Sequence, residues 1–139
     1  MTQRSHVLTR LRAAFDADHA LALLRRAVAV QSVTGNEANM AMMLQPEMAR
    51  LGLGPIVEDF LPGRPNIRGT REGNGGPRLL FMGHTDTVQA HGWAEHWAGS
   101  AQQDPFVGAV IDGELWGRGA ADLKAGICAS LAALDKVFP

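Results

Sequence analysis

Apolar residues recur at helical spacing over residues 19–33. Leu21, Leu24, Val28 and Ala29 fall on one side, and Arg25 and Arg26 on the other. The pattern predicts an amphipathic helix whose start Asp16 or Asp18 can cap. Thr34-Gly35-Asn36-Glu37 then has the spacing of a capping box, in which Thr34 accepts from first-turn amides and Glu37 reaches back. It opens a second predicted helix, 36–51, through Met40, Met43, Leu44 and Met48 to Leu51, with Gly52 as the stop signal. Pro46 sits inside it. A mid-helix proline costs about 3 kcal/mol and one hydrogen bond, so a kink is expected there. The methionines read as core filler rather than as a soft-metal site.

The period then changes. Residues 56–61, 66–70 and 78–83 are short apolar runs of strand type. Arg78-Leu79-Leu80-Phe81-Met82-Gly83 has no polar alternation, which predicts a strand buried on both faces at the centre of a sheet. Residues 72–77, with three glycines and an Asn, form the turn before it. Residues 89–105 read as a loop carrying His91, Trp93, His96 and Trp97. Residues 107–111 and 114–116, joined by Asp112-Gly113, read as a hairpin. A last helix is predicted over 122–137, with Leu123, Ile127, Leu131 and Leu134 at helical spacing. Helices alternating with strands argue an α/β fold, a mixed and mostly parallel sheet flanked by helices.

Composition narrows the function. A chain of 139 residues suits one domain. Formal net charge is −1 and no basic patch stands out, which argues against nucleic acid and anionic membranes as partners. No apolar run approaches the roughly 20 residues a membrane helix needs. Arg4, Arg10 and Arg12 precede any acidic residue, but without an apolar stretch they make no secretory signal; a solvated helical arm is expected, with a transit peptide as the alternative. The single Cys128 forms no internal disulfide, which fits a reducing, cytoplasmic setting.

The chemistry concentrates in two segments. In Gly83-His84-Thr85-Asp86-Thr87-Val88, extended backbone sends the side chains of His84 and Asp86 to the same side, just past the carboxyl end of the expected buried strand. Neutral imidazole is the commonest zinc ligand, and a carboxylate on its other nitrogen fixes the tautomer. The same tripeptide also suits a strand-end His hydrogen-bonded to an Asp. Asp122 follows Gly117-Arg118-Gly119 and directly precedes the last helix. It reads either as an N-cap or as a rigid carboxylate able to bridge two cations. The two glycines let the backbone approach closely. Lys124 reads as a solvated first-turn residue and Arg118 as a structural ion-pair partner. There is no nucleophilic-serine motif, phosphate loop, Cys-x-x-Cys or dinucleotide fingerprint.

Taken together, these segments resemble the zinc-dependent exopeptidase and deacylase family that includes acetylornithine deacetylase, succinyl-diaminopimelate desuccinylase, the aminoacylases and glutamate carboxypeptidases. The resemblance runs from Ser32-Val33-Thr34-Gly35-Asn36-Glu37 through Asp104-Pro105-Phe106 and Asp112-Gly113-Glu114-Leu115-Trp116-Gly117-Arg118-Gly119 to Asp122-Leu123-Lys124-Ala125-Gly126. It implies that His84 binds one zinc, that Asp122 bridges two, and that Asp86 is the catalytic-site residue orienting His84. It also implies a cis peptide bond between Asp122 and Leu123. Cobalt can substitute for zinc in such a site. The implied reaction is hydrolysis of an amide in N-acyl amino acids or small peptides, with a lean towards acetylornithine-deacetylase-like activity. The family's Glu-Glu pair, which supplies the general base and a further ligand, falls some thirty residues after the bridging Asp. It has no counterpart before Pro139. Residues 1–139 therefore read as the N-terminal part of a zinc-hydrolase catalytic domain, truncated, without the lid or dimerisation domain and the C-terminal catalytic part. A homodimer is expected only with the missing domain. The alternative is a catalytically inactive fragment or pseudo-enzyme, at most an interaction module. Leu123 stands where the family usually has Met, and Gln89-Ala90 where a Pro often follows the Val.

Overall fold

Side-chain caps and left-handed residues set the ends of the helices. In the computed structural model, which describes residues 3–137, a helix α1 (Gln3–Ala14) precedes the core and exposes Val7, Leu8 and Leu11, the solvated arm expected of this segment. The side chain of Arg4, and Pro139, lie outside the described residues. Helix α2 (Ala17–Ala29) starts at Asp16, whose carboxylate accepts from the backbone N–H of His19 at 2.9 Å. Helix α3 (Ala38–Arg50) ends in a Schellman motif. Leu53 N–H reaches Met48 O at 3.0 Å and Gly52 N–H reaches Ala49 O at 2.9 Å, with Gly52 at φ 69°. The helix continues through Pro46 as one element. The carbonyl the proline leaves unpaired is that of Met42, an exposed residue.

The capping box is not built as its spacing predicts. Glu37 is the residue before α3, its backbone already helical, and makes no side-chain cap. Its carboxylate accepts from Gly35 N–H at 2.8 Å and from Arg64, while Thr34 turns its hydroxyl towards Asp86.

Two antiparallel hairpins follow. Strands β1 (Ile56–Leu61) and β2 (Arg64–Arg68) are joined at Pro62-Gly63, where Gly63 has φ 72°. The second strand starts two residues before the predicted 66–70 and faces the core through Pro65 and Ile67. After a one-turn helix α4 (Trp93–His96), β3 (Ala109–Ile111) and β4 (Glu114–Trp116) meet at Asp112-Gly113, both with positive φ (51° and 83°), as a primed two-residue turn requires. The chain closes with α5 (Ala125–Val137). The architecture is mixed α/β, a helical core with two separate two-stranded sheets.

The expected central strand is the main correction. Residues 78–83 join no sheet, and Leu79, Leu80 and Met82 are 79%, 75% and 83% exposed. The reason is physical: a strand exists through its neighbours, and among the described residues none lies alongside this segment to pair with it. Among the described residues, the parallel pairing that does form is one bridge, Val33 with Thr87. The core lies instead between α2, α3 and α5, built from Leu23, Ala27, Met40, Leu44, Leu51, Leu53, Cys128 and Leu131. Met40 is fully buried within it, as filler. Among the described residues no helix is long and apolar enough to cross a membrane.

Candidate functional site

The segment carrying His84 is held at both ends. Gly83 lies against α5, where an added Cβ would meet Ile127 Cγ1 at 3.0 Å and Leu123 Cδ2 at 3.1 Å. Downstream, Thr87 N–H donates to Ser32 O at 2.8 Å, and Thr34 N–H donates to Thr87 O at 3.0 Å. Ser32 and Thr87 are both buried. Residues 84–86 project from this clamp.

The segment carrying Asp122 is set by close backbone approach. A Cβ on Gly117 would sit 2.4 Å from Val28 Cγ1, and one on Gly119 (φ 78°) 2.4 Å from Thr87 Cγ2. Real side chains do not tolerate such distances, so both positions require glycine. Residues Ala120–Lys124 form an irregular turn in which Asp122 (φ −121°, ψ 93°) and Leu123 (φ −131°, ψ 16°) leave the helical region. The Asp122–Leu123 peptide bond is cis.

Lys124 corrects its expected role as a solvated residue. It is buried, and its Nζ donates to Ala27 O at 2.9 Å and Val30 O at 2.6 Å, carbonyls at the end of α2. Burial pulls its pKa down to about 8. Arg118 likewise departs from an ion-pair role. Its guanidinium lies over the Trp93 ring, 5.3 Å from the centroid, and its backbone N–H donates to Pro105 O at 2.7 Å.

The structure brings His84, Asp86 and Asp122 together. His84 Nε2 lies 3.0 Å from Asp122 Oδ1. His84 Nδ1 lies 3.0 Å from the backbone oxygen of Asp86 and 3.2 Å from its Oδ1. Thr34 Oγ1 donates to Asp86 Oδ2 at 2.7 Å. The His84 and Asp122 side chains are 47% and 90% exposed, so their shared face opens outwards. Ionised carboxylates and carbonyls only accept, so each of these contacts is a hydrogen bond when the ring nitrogen facing it carries a proton. The hydrogen bond to Asp122 accordingly raises the His84 pKa, helped by the Asp86 carbonyl and the charges of both acids. Beside this cluster lies a groove of about 250 Å³ lined in part by Glu37, Arg64, Asn66, His84 and Asp86.

A proton between Nε2 and Oδ1 marks a place a cation can take. Two tetrahedral zinc ligands with bonds of about 2.0–2.1 Å stand about 3.3 Å apart. The observed 3.0 Å needs only a small outward shift of the exposed Asp122. Asp86 faces the opposite ring nitrogen and adds no ligand at that point. Among the described residues, no group of three or more His, Cys, Asp and Glu side chains converges to hold a metal ion. The donors present thus fit part of a metal site, not a closed one.

Sequence reasoning misses three contributors. Spacing assigns the Thr34 hydroxyl to a cap and Lys124 to solvent, and it gives no sign of the Glu37–Arg64 ion pair (2.6 Å). Arg64 next to Gly63 and Pro65 carries no local signal for a partner 27 residues away.

Comparison with known proteins follows the same residues. The profile of Peptidase family M20/M25/M40 matches residues 80–138, the stretch that holds His84, Asp86 and Asp122. The chain is 40% identical over 122 residues to a succinyl-diaminopimelate desuccinylase of Methylorubrum extorquens, a match covering 84% of this chain and 30% of that protein. Proteins of the same name from Rhodospirillum centenum (39% over 120 residues) and Bordetella petrii (37% over 116 residues) match over 82% and 84% of this chain, and over 29% of their own length. The chain therefore spans about 30% of the length of the curated relatives it matches. With the matched profile lying on the His84 and Asp122 segments and the desuccinylases aligning along most of the chain, the comparisons bear out the resemblance to Peptidase family M20/M25/M40 over the region they cover.

Proposed function

We propose that this chain carries one side of the metal site of an amide hydrolase acting on N-acyl amino acids or small peptides. The observation that carries the reading is the 3.0 Å approach of His84 Nε2 to Asp122 Oδ1, with Asp86 behind the other ring nitrogen. In this reading His84 and Asp122 would hold zinc, Asp122 as the ligand shared by two ions, and Asp86 would keep the proton on Nδ1 so that Nε2 presents its lone pair. Zinc, when bound, supplies Lewis acidity towards the amide carbonyl and towards water, and cobalt can replace it. The desuccinylase relatives favour a succinyl over an acetyl group on the amine. The general base and remaining ligands are assigned to parts of the fold beyond residues 1–139, with the lid or dimerisation domain through which a homodimer forms. There the 78–83 segment becomes the central strand of a mostly parallel sheet, and the enzyme works in the cytoplasm.

A second reading applies to residues 1–139 as a separate polypeptide: catalytically inactive, and at most an interaction module. The absence of a three-ligand cluster among the described residues favours it. Both readings meet one experiment. Zinc binding by residues 1–139 is measured against His84→Ala and Asp122→Ala, alongside hydrolysis of N-succinyl and N-acetyl amino acids. Weak binding of one ion, lost in both variants, with no hydrolysis, is expected. Loss of a general base alone forfeits roughly 10²–10⁴-fold in rate. Zinc binding indifferent to both substitutions would overturn the metal reading, and hydrolysis by this polypeptide would overturn the second.

A further inference from the structure

We infer that Thr34 is a positioning residue for the metal site, holding the Asp86 carboxylate against His84; the inference rests on the proposed roles of His84 and Asp122. Thr34 lies 52 residues before Asp86, yet its Oγ1 donates to Asp86 Oδ2 at 2.7 Å. The other oxygen of the same carboxylate faces His84 Nδ1 at 3.2 Å. The three side chains form a line, Thr34 to Asp86 to His84, that ends on Nε2 and Asp122.

The hydroxyl is placed by backbone, not by chance contact. Thr34 N–H donates to Thr87 O at 3.0 Å, and Thr87 N–H to Ser32 O at 2.8 Å, the two bonds of the parallel bridge between residues 33 and 87. In that parallel register Thr34 falls opposite the residue after Thr87, and the alternation of extended backbone turns its side chain to the same face as that of Asp86. The bridge is made by main-chain atoms, so it survives removal of the hydroxyl. Without the hydroxyl, the Asp86 carboxylate loses the bond that fixes its plane and can turn towards water. The Asp86 backbone oxygen, 3.0 Å from Nδ1, remains and keeps the ring from being released outright. A partial effect on the metal is therefore expected, at the lower end of the 10–100-fold range typical of groups that orient a ligand.

The test uses Thr34→Val, which keeps the side-chain shape, and Thr34→Ser, which restores the hydroxyl. Cobalt(II) alone is titrated into the 139-residue chain and its visible absorption followed, with thermal melting as a check on the fold. Thr34→Val is expected to weaken cobalt binding about tenfold at an unchanged melting temperature, and Thr34→Ser to restore it. A second readout needs no metal: in nitrogen-15-labelled protein, the Nδ1 proton of His84 should shift upfield and exchange faster with water in Thr34→Val than in the wild type or Thr34→Ser. If His84→Ala leaves cobalt binding unchanged, the metal reading fails, while the proton spectrum still decides whether Thr34 holds Asp86. Unchanged spectrum and unchanged cobalt affinity in a folded Thr34→Val overturn the inference. A lowered melting temperature with the Nδ1 proton unmoved also overturns it, in favour of a purely structural hydroxyl.

Discussion

Glu37 is a buried carboxylate whose charge is met from two sides. Arg64 Nη2 donates to it at 2.6 Å and Nε at 3.1 Å, and Gly35 N–H adds a third bond at 2.8 Å. The Arg64 hydrogen bond, against an opposing cost of burial, lowers its pKa from 4.5 to about 2. The unfolded chain therefore binds this proton first as the medium is acidified. The stability contributed by the pair is complete above about pH 4.5 and is lost as pH falls towards about 2. Denaturant unfolding across this window should show that fall, and Glu37→Gln should flatten it while costing about 2 kcal/mol near neutral pH, the scale of hydrogen bonds to a charged group. An equally steep acid loss in Glu37→Gln would assign it to other carboxylates. This pair also shows what the sequence could disclose at this scale. His84, Asp86 and Asp122 were legible because their spacing within two short segments is itself a chemical pattern. The work of Thr34, Glu37 and Lys124 was not, because each side chain bonds to a partner between 27 and 97 residues away. A threonine three residues before a glutamate looks the same whether its hydroxyl caps a helix or holds an aspartate.

Between elements, the contact that fixes Asp122 relative to His84 is the crossing of Gly119 over Thr87. An alanine at 119 would place Cβ 2.4 Å from Thr87 Cγ2 and would have to hold φ 78°. The two penalties have different origins, overpacking of about 1–3 kcal/mol and left-handed strain of about 1–2 kcal/mol. Gly119→Ala should therefore destabilise the fold by more than about 2 kcal/mol. Thr87→Ser, which deletes Cγ2, should recover the overpacking share but not the strain. A double mutant no more stable than Gly119→Ala alone would show that the crossing is not what the glycine serves. Helices and hairpins were legible in the sequence because local rules govern them: Asp16 caps α2, Gly52 closes α3 and Asp112-Gly113 turns β3 into β4. The segment 78–83 was not, because its pattern states only what a strand would need, burial on two faces and a neighbour on each edge. Whether those neighbours exist is a property of the rest of the fold.

Across the whole molecule, burial is uneven. Helices α2, α3 and α5 close a core around Leu23, Met40, Leu44 and Leu131, whereas Leu79, Leu80, Phe81 and Met82 are exposed with no strand beside them among the described residues. Phe60 and Val88 add to the exposed large apolar residues. An extended apolar run with free backbone donors and acceptors is the kind of edge that recruits another strand. It carries none of the devices that blunt such edges, since Arg78 is the one charge in 78–83 and no proline interrupts it. Residues 1–139 prepared as a polypeptide should therefore self-associate as concentration rises, seen in sedimentation velocity as a shift to larger species. Leu80→Lys tests the cause. Leu80 is exposed, so lysine there removes no core contact and should change stability by no more than about 0.5 kcal/mol, as is usual for surface substitutions. Placed in the run, the same charge makes strand addition costly and should return the chain to monomer. Self-association that persists in Leu80→Lys would move the contact elsewhere, with the apolar residues Val7, Leu8 and Leu11 of α1 the next surface to substitute. A wild-type chain that stays monomeric throughout would show that 78–83 finds cover within its own molecule.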